Sequence, residues 1–352
     1  MPEKVVTAIG TPNIALVKYW GKRNNRLNLP MNSSLSMTLD ESLNTKTSIL
    51  FSKRLKRDTL YINGEKHDLE AKSTSEKIFL TKGVLDSMRQ LGKNASKALI
   101  VSNNSFPTSS GLASSASGAA ALVFAASHAL DLGLSERQMS IFARRISGSA
   151  SRSIMGGFVK WNRGEEHDGS DSYAEQIASQ SYWPEVIDLV SIFHEKEKKI
   201  SSSVGHDLTL KKSKLYFARP EYAENHVKEI SEAIQKKDFE TLAEITMQDS
   251  NNMHATMLDT YPPIIYLNEK SRDIIYAIHS LNESEGKNIA AYTFDAGPNA
   301  QVITLRKYSK KVTEVLKEAI RDARLIEAGQ GSGPRLLGEA DSLISEATLQ
   351  PK

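Results

Sequence analysis

The chain has no cysteine in its 352 residues. That absence removes disulfides, thiolate metal sites and cysteine nucleophiles together, and it fits a reducing cytosol or a hot one. No apolar run approaches the ~20 residues that a membrane-spanning helix needs. The opening MPEKVVTAIG lacks the basic start and apolar core of a secretory leader. Neither sign of charge dominates: 45 Lys and Arg against 42 Asp and Glu leave a formal net charge of +3, so nothing demands nucleic acid as a partner. Internal repeats and low-complexity tracts are also missing. These absences predict a soluble cytoplasmic protein with no membrane or nucleic-acid partner.

With 39% hydrophobic and 25% charged residues, the chain can build a substantial core, and its length suits two domains or two halves of one large fold. Residues 4–22 read as β-prone, interrupted by Gly-Thr-Pro. Strand-like stretches follow at Lys46–Ser52, Asp58–Asn63, Ala98–Ser102, Phe158–Asn162, Val186–His194, Ala290–Phe294 and Ala300–Leu305. Asn63-Gly64 marks a hairpin, and the last two strands suit another. Helical patterns cover Glu76–Gly92, Ser115–Leu132, Glu136–Arg145, most of Ser213–Met257, Ser271–Asn282 and Val312–Arg324. GQGSGP at 329–334 reads as a flexible loop. Strands and helices mix without strict alternation, which predicts an α+β fold. A boundary near Trp183–Val186 divides the chain into 1–185, carrying a glycine-serine loop and substrate groups, and 186–352, a second α+β unit.

PTSSGLASSASGAAAL, residues 107–122, follows a strand and becomes a small-residue helix. Free backbone N–H groups and the positive end of a helix then face one point, which suits a phosphate. Gly111 permits close approach, and Ser114 and Ser115 can bond phosphate or a magnesium-bound water. Neither the Walker lysine nor G-x-G-x-x-G is present. The plainer reading is a helix packed tightly on a sheet. The pattern Pro107, Gly111, Leu112, Ser114, Ser115, Ala116 resembles the phosphate loop of the superfamily of galactokinase, homoserine kinase, mevalonate kinase and phosphomevalonate kinase.

Three further clusters carry chemistry. In NIALVKYWGKR, residues 13–23, Lys18, Lys22 and Arg23 crowd cations beside a strand, as a polyanionic substrate requires. An ordinary solvated basic edge is the plainer reading for Arg23 and Arg26. In SGSASRSIMGG, residues 147–157, Arg152 lies among Ser147, Ser149 and Ser153, where its fork can clamp a carboxylate; a helix cap with a surface arginine is the alternative. In YTFDAGPNA, residues 292–300, Asp295 closes an apolar strand, where loops carry chemistry, although a turn aspartate before Gly is common.

Together the four clusters, in this order, closely resemble the mevalonate diphosphate decarboxylase family. Weaker similarity at Glu166–Ala178, Glu197–Gly205, Met247–Pro263 and the GSGP segment extends it over most of the chain. The resemblance implies a two-lobed small-molecule-kinase-type fold. Its N-terminal half is ribosomal protein S5 domain 2-like, its C-terminal half ferredoxin-like, and the site lies in a central cleft. It implies ATP-dependent phosphorylation of the tertiary 3-hydroxyl of mevalonate 5-diphosphate, then loss of phosphate and CO2 to give isopentenyl diphosphate. ATP and Mg2+ are co-substrates, no fixed metal site is implied, and a homodimer is usual. On this resemblance Asp295 orients or deprotonates the 3-hydroxyl, Lys18 neutralises the transferred phosphoryl group and keeps Asp295 ionised, and Arg152 holds the C1 carboxylate. Tyr19, Lys22, Ser147, Gly148 and Ser149 bind the substrate. Pro107, Gly111, Leu112, Ser114 and Ser115 hold the ATP phosphates and Mg2+.

His128 and His194 sit in apolar segments and read as structural, and His254 as packing. His206 follows SSSVG, where many family members carry Met, and is assigned to the phosphate end of the substrate. Two readings within the family differ in substrate: ATP-independent decarboxylation of mevalonate 3,5-bisphosphate, and ATP-dependent decarboxylation of the 5-monophosphate. A kinase without decarboxylation would not need Lys18-Tyr19-Trp20 together with Asp295-Ala-Gly-Pro. A binding module or inactive paralogue would be expected to have lost Lys18, Arg152 or Asp295.

Overall fold

The structure, a computed structural model, describes residues 4–70, 76–106, 114–194, 199–345, 347 and 349–352. The Thr-Pro break after Gly10 splits the first β-prone stretch into strands that enter different sheets. Val6–Gly10 joins a six-stranded sheet in the order Arg335–Leu336, Val6–Gly10, Thr45–Ser52, Lys97–Asn104, Thr59–Ile62, Glu65–Asp68. Only Thr59–Ile62 and Lys97–Asn104 run parallel there. The Asn63-Gly64 turn has φ of 48° and 84°, the doubly positive geometry that matches strand twist. Asn13–Val17 edges a four-stranded antiparallel sheet with Ser34–Thr38, Phe158–Trp161 and Ala174–Ala178.

Eight α-helices lie among the described residues: α1 (Glu76–Leu91), α2 (Ser114–Ala129), α3 (Glu136–Ile146), α4 (Ser202–Lys212), α5 (Arg219–Lys236), α6 (Phe239–Leu258), α7 (Glu269–Glu285) and α8 (Ser309–Ala319). Helix α2 shows what small residues achieve. It lies on Val6–Gly10 so closely that a Cβ on Gly10 would sit 2.6 Å from the Ser117 carbonyl oxygen. Close packing therefore accounts for the alanines of this run, whatever its N-terminus binds. Helix α3 starts at a reciprocal Ser135–Gln138 capping box, and α7 at Asn268–Ser271.

The C-terminal half forms a third sheet in the order Ala290–Phe294, Ala300–Leu305, Val186–Ile192, Arg324–Ala328, antiparallel throughout. In chain order it reads strand, helices, two strands, helix, strand, which is the expected ferredoxin-like arrangement. The halves share one apolar core: Leu16, Leu35 and Met37 pack in the same cluster as Leu189, Ile230 and Phe294. The chain end also crosses back, since Arg335–Leu336 pairs with Ile9 and Ala8, and Ile344 packs with Val5, Leu50 and Leu99.

Three local expectations need correction. The helix expected over Val312–Arg324 ends at Ala319, because Ile320 turns extended and Arg324 opens the edge strand. Residues 202–212 form a helix that sequence pattern did not reveal, started by Ser201 accepting the Val204 N–H. GQGSGP is not loose. The Gly331 N–H donates to the Thr38 carbonyl and its own carbonyl accepts from Gly157, both at 2.9 Å, while the Gly329 carbonyl accepts from the Asp40 N–H at 2.9 Å.

Candidate active site

Lys18 leaves the buried strand Asn13–Val17, and Asp295 leaves Ala290–Phe294, so two strand ends from the two halves meet. Lys18 Nζ lies 2.6 Å from Asp295 Oδ1. The two side chains differ sharply in exposure, 2% for Lys18 and 34% for Asp295. Asp295 Oδ2 makes no hydrogen bond among the described residues, so one oxygen of this carboxylate stays open to the cleft. The cleft beside it is lined by Pro12, Asn13, Ile14, Leu39 and Gln301. Two further groups lie near the pair: His254, read from sequence as packing, and Asp188, which sequence did not single out. His254 Nε2 stands 3.4 Å from the Phe294 carbonyl oxygen, and burial leads the causes that hold its imidazole down at about 4, and thus neutral. Asp188 is fully buried within the electrostatic reach of both Lys18 and Asp295, accepting the Val302 N–H through Oδ1, with Oδ2 unpartnered among the described residues.

Arg152 belongs to a 3-10 turn, Gly148–Ile154, and is 2% exposed. Its Nε donates to Asn13 Oδ1 at 3.1 Å and one Nη to Ser34 Oγ, whereas the other Nη has no partner among the described residues. Burial lowers its guanidinium to about 10, against the pull of Asp295. A buried, incompletely bonded cation is a receptor for an anion, and a fork suits a carboxylate. The helix-cap alternative for this cluster therefore fails: the arginine is inside, not on the surface.

The adjoining end of the site is aromatic. His206 is buried, stacks on Trp20 with ring centroids 4.1 Å apart, and lies 4.6 Å from the Tyr19 ring. The Gly21 N–H donates to His206 Nδ1 at 2.7 Å, which leaves the ring proton on Nε2. Burial, then Lys22, pushes its imidazole well below the ordinary histidine range, so it is neutral at pH 7. The Tyr19 hydroxyl and Trp20 Nε1 are buried without partners among the described residues, which calls for an absent bonding partner. Gly148 must be glycine: a Cβ there would meet the Tyr19 ring at 2.7 Å. Lys22 Nζ lies 3.4 Å from Ser203 Oγ.

Ser147 and Ser149 border Gly148. The Ser147 Oγ lies 3.3 Å from the Ser115 Oγ, which brings the N-terminus of α2 to the same place. No acidic side chain occupies the first turn of α2, so its positive end is uncompensated and fits an anion. Pro107, Gly111 and Leu112 lie outside the described residues, and Ser114 is described only as the first residue of α2. Arg23 is used structurally: its guanidinium donates to the carbonyls of Gly164 and Glu166, both at 3.1 Å. His128 bonds the Phe124 carbonyl on an exposed turn of α2. The backbone of His194 is held by Asn299. Among the described residues no group of three or more His, Cys, Asp or Glu could hold a metal ion, and no helix is long and apolar enough to cross a membrane.

A family model described as the diphosphomevalonate decarboxylase-like N-terminal domain matches residues 10–174, and the mevalonate 5-diphosphate decarboxylase C-terminal domain matches residues 188–338. The chain belongs to the mevalonate diphosphate decarboxylase family. Diphosphomevalonate decarboxylase mvd1 of Aspergillus fumigatus is 44% identical over 323 residues, 88% of this chain and 79% of the relative. A crystal structure of mevalonate 5-diphosphate decarboxylase at 2.3 Å resolution superposes with a TM-score of 0.88 at 37% identity, covering 98% of this chain and all of that one. A structure of MDDEF in complex with MVAPP, AMPPCP and magnesium gives a TM-score of 0.85 at 36% identity, covering 95% and 99%. The chain is thus a decarboxylase-family enzyme, a carboxy-lyase, with the two-lobed α+β fold of those structures.

Proposed function

We propose that this enzyme converts mevalonate 5-diphosphate to isopentenyl diphosphate, with MgATP as co-substrate, through Asp295, Lys18 and Arg152. The observation that carries the assignment is the meeting of a buried lysine, a half-open carboxylate and a buried, incompletely bonded arginine where the two halves join. MgATP supplies the phosphoryl group that turns the 3-hydroxyl into a leaving group. The open Oδ2 of Asp295 takes the 3-hydroxyl proton as the phosphoryl group is transferred and passes it to the new phosphate or to solvent, so that the carboxylate is ionised again when positive charge develops at C3. Lys18 Nζ balances the charge on Asp295 and on the departing phosphate. Arg152 holds the C1 carboxylate so that the C1–C2 bond lies parallel to the C3–O bond. The C3–O pair leaves with phosphate, the C1–C2 pair becomes the C2=C3 double bond, and C1 departs as CO2.

The diphosphate end is assigned to Tyr19, Lys22, Ser147, Gly148, Ser149 and the Nε2–H of His206. The ATP phosphates and Mg2+ are assigned to the N-terminus of α2, with Ser114, Ser115 and residues 107, 111 and 112. Neither the 3,5-bisphosphate nor the 5-monophosphate alternative is favoured, since MVAPP and AMPPCP occupy the similar complex together. The proposal includes a domain division at 185/186, a cytoplasmic location in keeping with a chain free of cysteine, and a homodimer. The test is CO2 release from mevalonate 5-diphosphate, 5-phosphate and 3,5-bisphosphate, each with and without MgATP. Release from the 5-diphosphate only with MgATP is expected. Release from the 3,5-bisphosphate without nucleotide would replace this reading by elimination alone.

A further inference from the structure

Lys18 is gripped by more than its side-chain partner. Its N–H donates to Asp249 Oδ1 at 2.7 Å, and its carbonyl accepts from Arg219 Nη2 at 3.1 Å and from Asn32 Nδ2 at 3.0 Å. Asp249 lies in α6 and Arg219 opens α5, and both are fully buried. They bind each other as a fork, Nη1 to Oδ2 and Nη2 to Oδ1, each at 2.8 Å. Asn252 Oδ1 accepts from Arg219 at 2.9 Å, and His226 Nδ1 stands 3.4 Å from Asp249 Oδ2.

We propose that the Arg219–Asp249 pair is a positioning device for the reaction: it fixes the peptide of Lys18 so that the ammonium meets Asp295. The inference rests on the assignment of Lys18 to the chemistry. Lys18 lies just past Val17, the last residue of its strand to pair with Ser34–Thr38, so the sheet no longer sets its backbone. The ion pair takes over, bonding both polar groups of that residue. A buried ion pair is a poor stabiliser, because apolar side chains of similar volume often match or exceed it. Its use here therefore points to geometry rather than to stability. Burial alone would raise the Asp249 carboxyl. Arg219, His226 and the Lys18 N–H outweigh that and hold it below the ordinary carboxylate range, so it remains an acceptor. The lysine side chain is long, and a small rotation of its peptide moves Nζ by about an ångström, enough to cost ~100-fold in rate.

The test compares Asp249→Asn, Arg219→Lys and the apolar double variant Arg219→Met/Asp249→Leu with the parent. The readouts are melting temperature, KM for mevalonate 5-diphosphate, and single-turnover CO2 release at saturating substrate and MgATP. Expected for Asp249→Asn is a kcat lower by about 10–100-fold with KM within about twofold. Arg219→Lys keeps the charge but loses the fork, and should lose about tenfold; it carries the test if Asp249→Asn does not fold. The double variant should melt close to the parent yet remain at least about tenfold slow. Parent-like turnover in any folded variant, or a loss that only follows the unfolded fraction, overturns the inference. Lys18→Met separates the two levels. If it is inactive while the clamp variants turn over normally, only the positioning claim falls. If it is active, the role given to Lys18 falls first.

Discussion

Lys18 touches two carboxylates of opposite character. Asp295 is 34% exposed and bonds Lys18 through one oxygen, leaving the other open. Asp249 is fully buried, and both its oxygens are occupied, by Arg219 twice and by the Lys18 N–H. A carboxylate with both oxygens held by strong donors takes up a proton only at the expense of those bonds, whereas one with an open oxygen can accept it there. The difference teaches that charge beside a catalytic lysine is not enough to assign chemistry. The unsatisfied group faces the substrate, and the saturated one holds the frame.

The largest expected effect strikes the open partner. Asp295→Asn should lower kcat by about 10³-fold, with the melting temperature within a few degrees because the side chain is partly exposed. CO2 release and a thermal melt check this, and near-normal turnover would remove Asp295 from the mechanism. Next is Arg152→Lys. A point charge cannot replace the fork between Asn13 and Ser34, so kcat/KM should fall by roughly 10–100-fold. Unchanged kcat and KM would break the carboxylate assignment.

Asp188 sharpens the comparison as a third case, buried like Asp249 but under-bonded. Burial, opposed by the Val302 N–H and by Lys18 and aided by Asp295, raises its carboxyl to about 8. Its folded pKa thus exceeds the unfolded value of about 4, so between about pH 4 and 8 the native state holds a proton that the unfolded chain has lost. Stability contributed by this group falls as pH rises through that window and levels off above it. Asp188→Asn keeps the acceptor for Val302 and cannot ionise. Its stability advantage should grow by at most ~1.4 kcal/mol per pH unit across the window, read by chemical denaturation of both proteins from pH 5 to 8.5. A gap that does not widen contradicts the buried neutral acid.

The smallest effect belongs to Arg23, whose partners are loop carbonyls. Arg23→Met should leave KM for mevalonate 5-diphosphate within about twofold and lower stability slightly. A tenfold rise in KM would return Arg23 to the substrate.

Local signals explain what could be read in advance. Gly-Thr-Pro cut the first β-prone stretch, Asn63-Gly64 marked the hairpin of Thr59–Ile62 with Glu65–Asp68, and a helical pattern over Glu136–Arg145 marked α3. Lys18 and Asp295, 277 positions apart, were singled out separately, and the fold brings them to 2.6 Å. Arg219 and Asp249 escaped notice because they lie in helices rich in charge, where a buried ion pair and a solvated face have the same composition. Helix α4 was hidden by the glycine and β-branched residues of SSVGHDLTLKK, and its identity comes from a cap and tertiary packing rather than from periodicity. The bond of Asp188 with Val302 and the approach of His254 to the Phe294 carbonyl were equally invisible, since each joins residues at least 40 positions apart.

The most direct measurement is a double-mutant cycle on single-turnover CO2 release, using Lys18→Met, Asp295→Asn and the combined variant. If the pair acts as one catalytic unit, each single substitution removes most of the rate and the double variant loses little more than the worse of the two. Independent losses that multiply in the double variant would show that the two residues do not work together.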